Sequence, residues 1–304
     1  MRVSRRLFAS LSSLLTALAL DLAATPAEAF CRTHTCQADA SCVTDESGCP
    51  VGGSALFWPR ACISYSVHAD GSKVRSISAA DAESVLDTAY ASWTTVACDD
   101  DRGPSIDVFR FDRVQCDRIE FNQCDDNANI WVFRDEEWPY EDGGLTLAQT
   151  WVHFDTRTGE IFDADVEVNT ADFAITTSDD EGRSQFIAIA THEIGHVFGM
   201  DHATDQRATM YASYNRLSNM AELTPDDIEG FCTIYPPNRV VGRCDPDPYN
   251  GFSATCGDTT CDEGGCHATR PGGGTLGAWG IVVAGLGITL MRLRRRLGRR
   301  AAKV

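Results

Sequence analysis

The chain has 304 residues, 43% hydrophobic and 23% charged, enough apolar content for one sizeable domain or two small ones and unlike a disordered or collagen-like chain. The formal charge is −18, and many of the basic residues are crowded at the two ends. The body between them is acidic, repels phosphate and argues against nucleic acid as a partner.

At the N-terminus, Arg2, Arg5 and Arg6 precede an apolar run from Leu7 to Leu20, and Ala27-Glu28-Ala29 puts small residues where a signal peptidase reads. Residues 1–29 are therefore expected to be a removable export signal, with the mature chain starting near Phe30. Ser4-Arg5-Arg6-Leu7-Phe8 also resembles a twin-arginine signal. All 13 Cys follow that point, which favours disulfides over clustered-Cys zinc. Thirteen is odd, so one Cys is left over, and Cys266 is the candidate. Connectivity stays open.

After a Cys-rich segment, 30–54, the pattern settles into regular elements. Ala61 to His68 alternates as a strand. Ser78 caps a helix through Ala82, Val85, Leu86, Ala89 and Trp93, with Asp81 three residues past the cap. Ser105 to Phe111 and Asn129 to Phe133 read as strands. Leu145 to Phe154 and Glu160 to Asn169 form a hairpin across Asp155-Thr-Arg-Thr-Gly159. Ser184 to Phe198 is helical, and Thr224-Pro225-Asp226-Asp227 opens a last helix that Pro236-Pro237 stops. This order predicts an α+β domain over 55–236 with one mixed sheet.

Beyond it lie a Cys- and Gly-rich linker, 237–274, an uncharged stretch and an Arg cluster from 292 to 304. Residues 275–291 are expected to form a membrane-spanning or sorting helix, about 30 Å of uncharged chain at roughly 1.5 Å per residue counting from Pro271. The Arg residues would then stay in the cytoplasm, with the body outside.

The segment that carries chemistry is Thr191-His-Glu-Ile-Gly-His-Val-Phe-Gly-Met-Asp-His202. His192 and His196, four apart on a helix, share one face and can reach a single Zn2+. Glu193 is placed to act on a water held there. Gly199 allows a sharp turn, and His202 can complete the ligand set. Three His leave a fourth position for water, which marks a catalytic rather than a structural site. Asp163 and Asp165 alternate on one strand and are candidates for Ca2+, beside the plainer reading of a solvated acidic face. His153 stands alone in its strand and reads as an ordinary histidine.

The extended pattern H-E-x-x-H-x-x-G-x-x-H, with Met210 eight residues past His202, resembles the metzincin clan of zinc peptidases. The finer resemblance, over about residues 55–236, is to the matrixin family. It rests on Met210-Tyr-Ala-Ser-Tyr214, the helix opening at Leu223-Thr-Pro-Asp-Asp-Ile-Glu-Gly230 and the hairpin Thr158 to Asn169. The resemblance implies a zincin-like fold with a mixed twisted sheet, an active-site helix and a C-terminal helix. It implies an exported zinc metalloendopeptidase acting on a protein or peptide. His192, His196 and His202 would be ligands, Glu193 the general base and Met210 a Met-turn beneath the metal. Ala212, Ser213 and Tyr214 would wall a substrate pocket. Substrate would pair with an edge strand near Asp165–Asn169.

There are departures from the family pattern. Ala212 replaces the family Pro, and no His-rich loop for a second zinc is evident. The short stretch before the domain lacks a prodomain, although Cys49 before Pro50 is a candidate thiolate block. The alternative function is a surface adhesion or binding protein that keeps the fold without turnover. Finally, the order Cys266, Pro271-Gly-Gly-Gly, apolar helix, Arg cluster resembles the myxobacterial C-terminal sorting tail, which implies anchoring at a bacterial surface.

Overall fold

A computed structural model describes residues 30–140, 145–178, 184–214 and 220–255, together with the backbone of Trp279–Gly287. Its elements run β1 (Cys31–Arg32), β2 (Val43–Thr44), β3 (Pro50–Val51), β4 (Cys62–Val67), α1 (Ala79–Thr94), β5 (Asp107–Arg110), β6 (Ile130–Phe133), β7 (Thr146–Asp155), β8 (Ile161–Val168), β9 (Ile175–Thr176), β10 (Ser184–Gln185), α2 (Phe186–Val197), β11 (Met200–Asp201), α3 (Pro225–Ile234) and β12 (Trp279–Gly287). The arrangement is α+β. Six strands form one sheet in the order β12-β7-β8-β6-β4-β5, with β5, β4, β6 and β8 parallel and β7 and β12 antiparallel to their neighbours.

Local chemistry sets the helix ends. Ser78 Oγ accepts the Asp81 N–H at 3.1 Å while Asp81 Oδ2 accepts the Ser78 N–H at 3.2 Å. Such a reciprocal cap contributes about 1 kcal/mol. The buried positions of α1 are Ala79, Ala82, Leu86, Ala89, Tyr90 and Trp93, a stripe at helical spacing. That stripe meets the sheet and α2, where Trp93 Nε1 donates to the Thr191 carbonyl at 2.9 Å. Phe231 of α3 packs against Trp93 and Phe198, so the three helices close one core over one face of the sheet.

Disulfides join Cys31–Cys49, Cys36–Cys42, Cys62–Cys244 and Cys98–Cys232. The last two close loops of 182 and 134 residues. In the chain-entropy picture, loops this long remove about 4–5 kcal/mol of freedom from the unfolded chain. Cys116 and Cys124 are disulfide-bonded as well, and no cysteine is free among the described residues. Cys49 is therefore not the thiolate block that its place before Pro50 suggested; Cys31 holds it.

The N-terminal segment is joined to the domain. β1 pairs antiparallel with β11, Thr33 N donates to the Gly199 carbonyl at 3.0 Å, and Leu56 N donates to the Thr33 carbonyl at 2.8 Å. Phe30, at the expected cleavage point, gives its N–H to Asp226 Oδ1 at 3.0 Å.

Two expectations are corrected here. The stretch Asp165–Asn169 is not at an edge: β8 lies between β7 and β6, because the 155–159 hairpin folds β7 back on the outer side. Within the expected tail helix, Trp279–Gly287 is instead strand β12, paired with β7 from Asp155 to Thr146. Ile281, Val282 and Val283 favour extended backbone, the glycines among them disfavour helix, and the open edge of β7 supplies the partner groups. No helix among the described residues is long and apolar enough to cross a membrane. The expected export signal, Cys256, Cys261, Cys266, Pro271–Gly274 and the Arg cluster lie outside the described residues.

Candidate metal centre

Helix α2 is the buried centre of the domain. Every residue from Ala188 to Val197 is buried, so only a side chain with a partner inside can be polar there. His192 Nδ1 lies 2.6 Å from the Thr209 carbonyl oxygen, and His196 Nδ1 lies 2.9 Å from that of Met200. A carbonyl can only accept, so each Nδ1 carries the proton and each Nε2 keeps its lone pair. Those lone pairs converge. His196 Nε2 is 3.1 Å from His192 Nε2 and 3.2 Å from His202 Nε2. Nitrogens held tetrahedrally at roughly 2.0–2.1 Å from one ion would sit about 3.3 Å apart, so the set fits zinc.

Burial and the neighbouring His202 ring push the His192 imidazole down to about 3. His196 lies well below its ordinary value, through burial first and then the rings of His202 and His192. Both rings are neutral at pH 7, as metal ligands must be.

The turn to the third ligand depends on Gly199. It sits at φ +89°, and a Cβ there would lie 2.8 Å from the Leu56 carbonyl oxygen. Asp201 then fixes His202 by accepting its backbone N–H at 2.7 Å, and Gln37 from the N-terminal segment donates to the other Asp201 oxygen at 2.7 Å. Met210 is fully buried, with Ala203 N donating to its carbonyl at 2.8 Å. Gly195 makes room for it: a Cβ on Gly195 would meet Met210 Sδ at 2.1 Å. Glu193, also fully buried, accepts a 2.6 Å hydrogen bond at Oε2 from Thr150 Oγ1.

The family model for matrixin matches residues 57–236, more than half of the chain. The chain belongs to the matrixin family. Over 100 residues it is 33% identical to metalloendoproteinase 1 of Glycine max, covering 33% of this chain and 32% of that one. It is 34% identical over 77 residues to metalloendoproteinase 1-MMP of Arabidopsis thaliana, covering 24% and 21%. It is 45% identical over 51 residues to the interstitial collagenase of Bos taurus, covering 17% and 11%. The chain thus aligns over a third or less of the length of these curated relatives.

In this matrixin the expected site residues fall into two groups. His192, His196 and His202 bring one ring nitrogen each to a common point, with Glu193 buried on the same helix and Met210 buried against Gly195. Ala212, Ser213 and Tyr214 follow Met210 as a half-buried stretch that reaches the start of α2, where Gln185 N donates to Tyr214 Oη at 3.1 Å. Asp163 and Asp165 lie elsewhere, on β8. Both are fully buried, not solvated. Asp165 takes the Ile130 N–H at 2.8 Å on one oxygen and the Glu120 N–H at 3.2 Å on the other, and Asp163 Oδ2 pairs with His153 Nδ1 at 3.1 Å. That pairing accounts for His153. Only Asp163 Oδ1 lacks a hydrogen-bond partner in this pair. The geometry supports a backbone clamp more than a cation cage.

Three contributors escaped the sequence reading. Asp227 Oδ2 and Oδ1 accept the N–H groups of Thr209 and Met210 at 2.9 and 3.1 Å, which holds the Met-turn. Its place in the Thr224 capping box was readable, but its long-range partners were not. Gln37 and Thr150 act across 164 and 43 residues of sequence, with no local spacing to announce them.

Proposed function

We propose that the chain is an exported zinc-dependent endopeptidase that hydrolyses protein or peptide bonds. The observation that carries this is the convergence of the Nε2 atoms of His192, His196 and His202, with the buried Glu193 next to His192 on the same helix. His192, His196 and His202 would hold the metal. Zinc, when bound, supplies Lewis acidity that activates water and polarises the scissile carbonyl.

The other steps belong to the chain's own residues. Glu193 takes a proton from the attacking water and passes it to the leaving amine. Met210 supports the three rings from below without binding metal. Ala212, Ser213 and Tyr214 wall the pocket for the side chain beyond the scissile bond. An extended peptide adds as a strand to the outer side of β7, the strand that faces Glu193, and must displace Trp279–Gly287 to do so. Export fits the expected leader and a disulfide-bonded body, which matches an oxidising compartment.

The test is metal dependence. The purified chain should hold one zinc per molecule and cleave an unstructured protein substrate. Chelation should stop cleavage and zinc should restore it. Changing His192, His196 and His202 to Ala should abolish both zinc and cleavage. Equal zinc in that triple variant would overturn the proposal.

A further inference from the structure

On β7 the side chains alternate between two faces. Ala148, Val152 and Phe154 are buried on the helix-facing side and belong to the main core. Thr150 shares their face, is fully buried, and is the polar residue among them. Its hydroxyl has one proton to give. Glu193 Oε2 lies at 2.6 Å and the Glu193 carbonyl oxygen at 3.4 Å, so the carboxylate receives it.

A glutamate reaching from a helix has three side-chain rotors, and a general base must hold one oxygen within about 3 Å of the proton it takes. Both Thr150 and Glu193 sit on regular elements inside the core, β7 in register with β8 at Thr150↔Val166, and Glu193 in the middle of α2. A donor fixed on a strand and an acceptor fixed on a helix define one orientation of the carboxylate. The donor on Oε2 therefore holds the carboxylate in that one orientation.

We infer that Thr150 is a positioning residue for Glu193: its hydroxyl holds Oε2 and so fixes the orientation in which the carboxylate meets the reacting water. This rests on the reading of Glu193 as general base. Nothing in the H-E-x-x-H pattern announces it, because the threonine lies on another element.

The test uses the full zinc-loaded chain and a fluorogenic peptide. Thr150→Val keeps the shape and removes the hydroxyl. It should lower kcat about 10- to 50-fold, a fraction of the ~10²–10⁴ associated with a general base. KM should stay within about twofold and zinc at one per chain, since a positioning effect acts on the reacting geometry. Thr150→Ser should restore kcat to within about threefold of the natural enzyme. Should the Val variant fail to fold, Thr150→Ser against Thr150→Ala gives the same comparison of hydroxyl present and absent.

A cycle with Glu193→Ala separates this inference from its premise. In that background Thr150→Val should cost nothing further, because the acceptor is gone. If Glu193→Ala itself leaves kcat unchanged, the base lies elsewhere and the underlying reading fails. If Glu193→Ala abolishes turnover while Thr150→Val keeps full kcat, or if the two losses simply add, the positioning role is wrong.

Discussion

Asp227 Oδ2 accepts the backbone N–H of Thr209 at 2.9 Å, and the carbonyl of the same Thr209 takes the Nδ1 proton of His192 at 2.6 Å. A carboxylate at the start of α3 therefore positions the residue whose carbonyl sets the tautomer of His192 on α2. The same carboxylate holds Met210 N at 3.1 Å and caps its own helix through Thr224.

Asp227→Ala should accordingly destabilise the chain by about 3–5 kcal/mol, since it strands several buried donors at once. It should also weaken zinc retention, because the Thr209 carbonyl loses its anchor. Urea denaturation and competition with a chelator measure the two effects. A variant that loses stability but holds zinc as tightly as before would uncouple α3 from the metal centre.

Gly195 illustrates a second dependence. Alanine there would place a methyl carbon 2.1 Å from Met210 Sδ and 3.2 Å from Trp93. Overpacking of this kind costs about 1–3 kcal/mol. Gly195→Ala should lower the thermal midpoint, and pairing it with Met210→Val should recover part of the loss. No recovery would mean that Met210 is not the atom group in conflict.

The buried acid Asp163 gives a prediction in pH. Burial, and then the charge of Glu120, raise its carboxyl well above the ordinary Asp range. Below the ordinary value of 3.8 the folded and unfolded chains both hold this proton, so the group is neutral to stability. As pH rises past that value the unfolded chain ionises first, and stability falls until the folded carboxyl ionises too. Asp163→Asn should therefore stabilise the chain at pH 7, with the gain shrinking towards zero near pH 4. A gain independent of pH, or a loss at pH 7, would show that Asp163 is charged in the native state.

Much of the fold was readable because its signals are local. The Ser78–Asp81 and Thr224–Asp227 boxes, the 155–159 turn and the helical spacing of His192 and His196 each need only a few neighbouring residues. Strand order does not work that way. Placing β8 inside the sheet and β7 outside it depends on how a hairpin packs, so the substrate edge was assigned to the wrong strand. Disulfide partners 134 and 182 residues apart and the Thr150–Glu193 contact are settled only by the assembled core. Trp279–Gly287 was expected to be helical for another reason: an apolar, Gly-rich run satisfies a helix or an edge strand, and the edge of β7 decides between them.

That edge also makes a kinetic prediction. Ala284 of β12 pairs with Thr150, the residue next to Glu193. Truncation after Arg270 should lower KM for an extended peptide while leaving kcat unchanged. Steady-state kinetics of the two forms measure this, and an identical KM would mean that substrate does not use the outer side of β7.

The central claim is that Glu193 acts as the base beside a zinc held by three histidines. The most direct measurement compares kcat for peptide hydrolysis by the zinc-loaded chain and by Glu193→Ala, with zinc content determined in both. The account predicts one zinc per chain in each and a fall in kcat of roughly 10²–10⁴-fold or more in the variant. Equal kcat in the two proteins, or a natural chain that binds zinc and cleaves nothing, would contradict it.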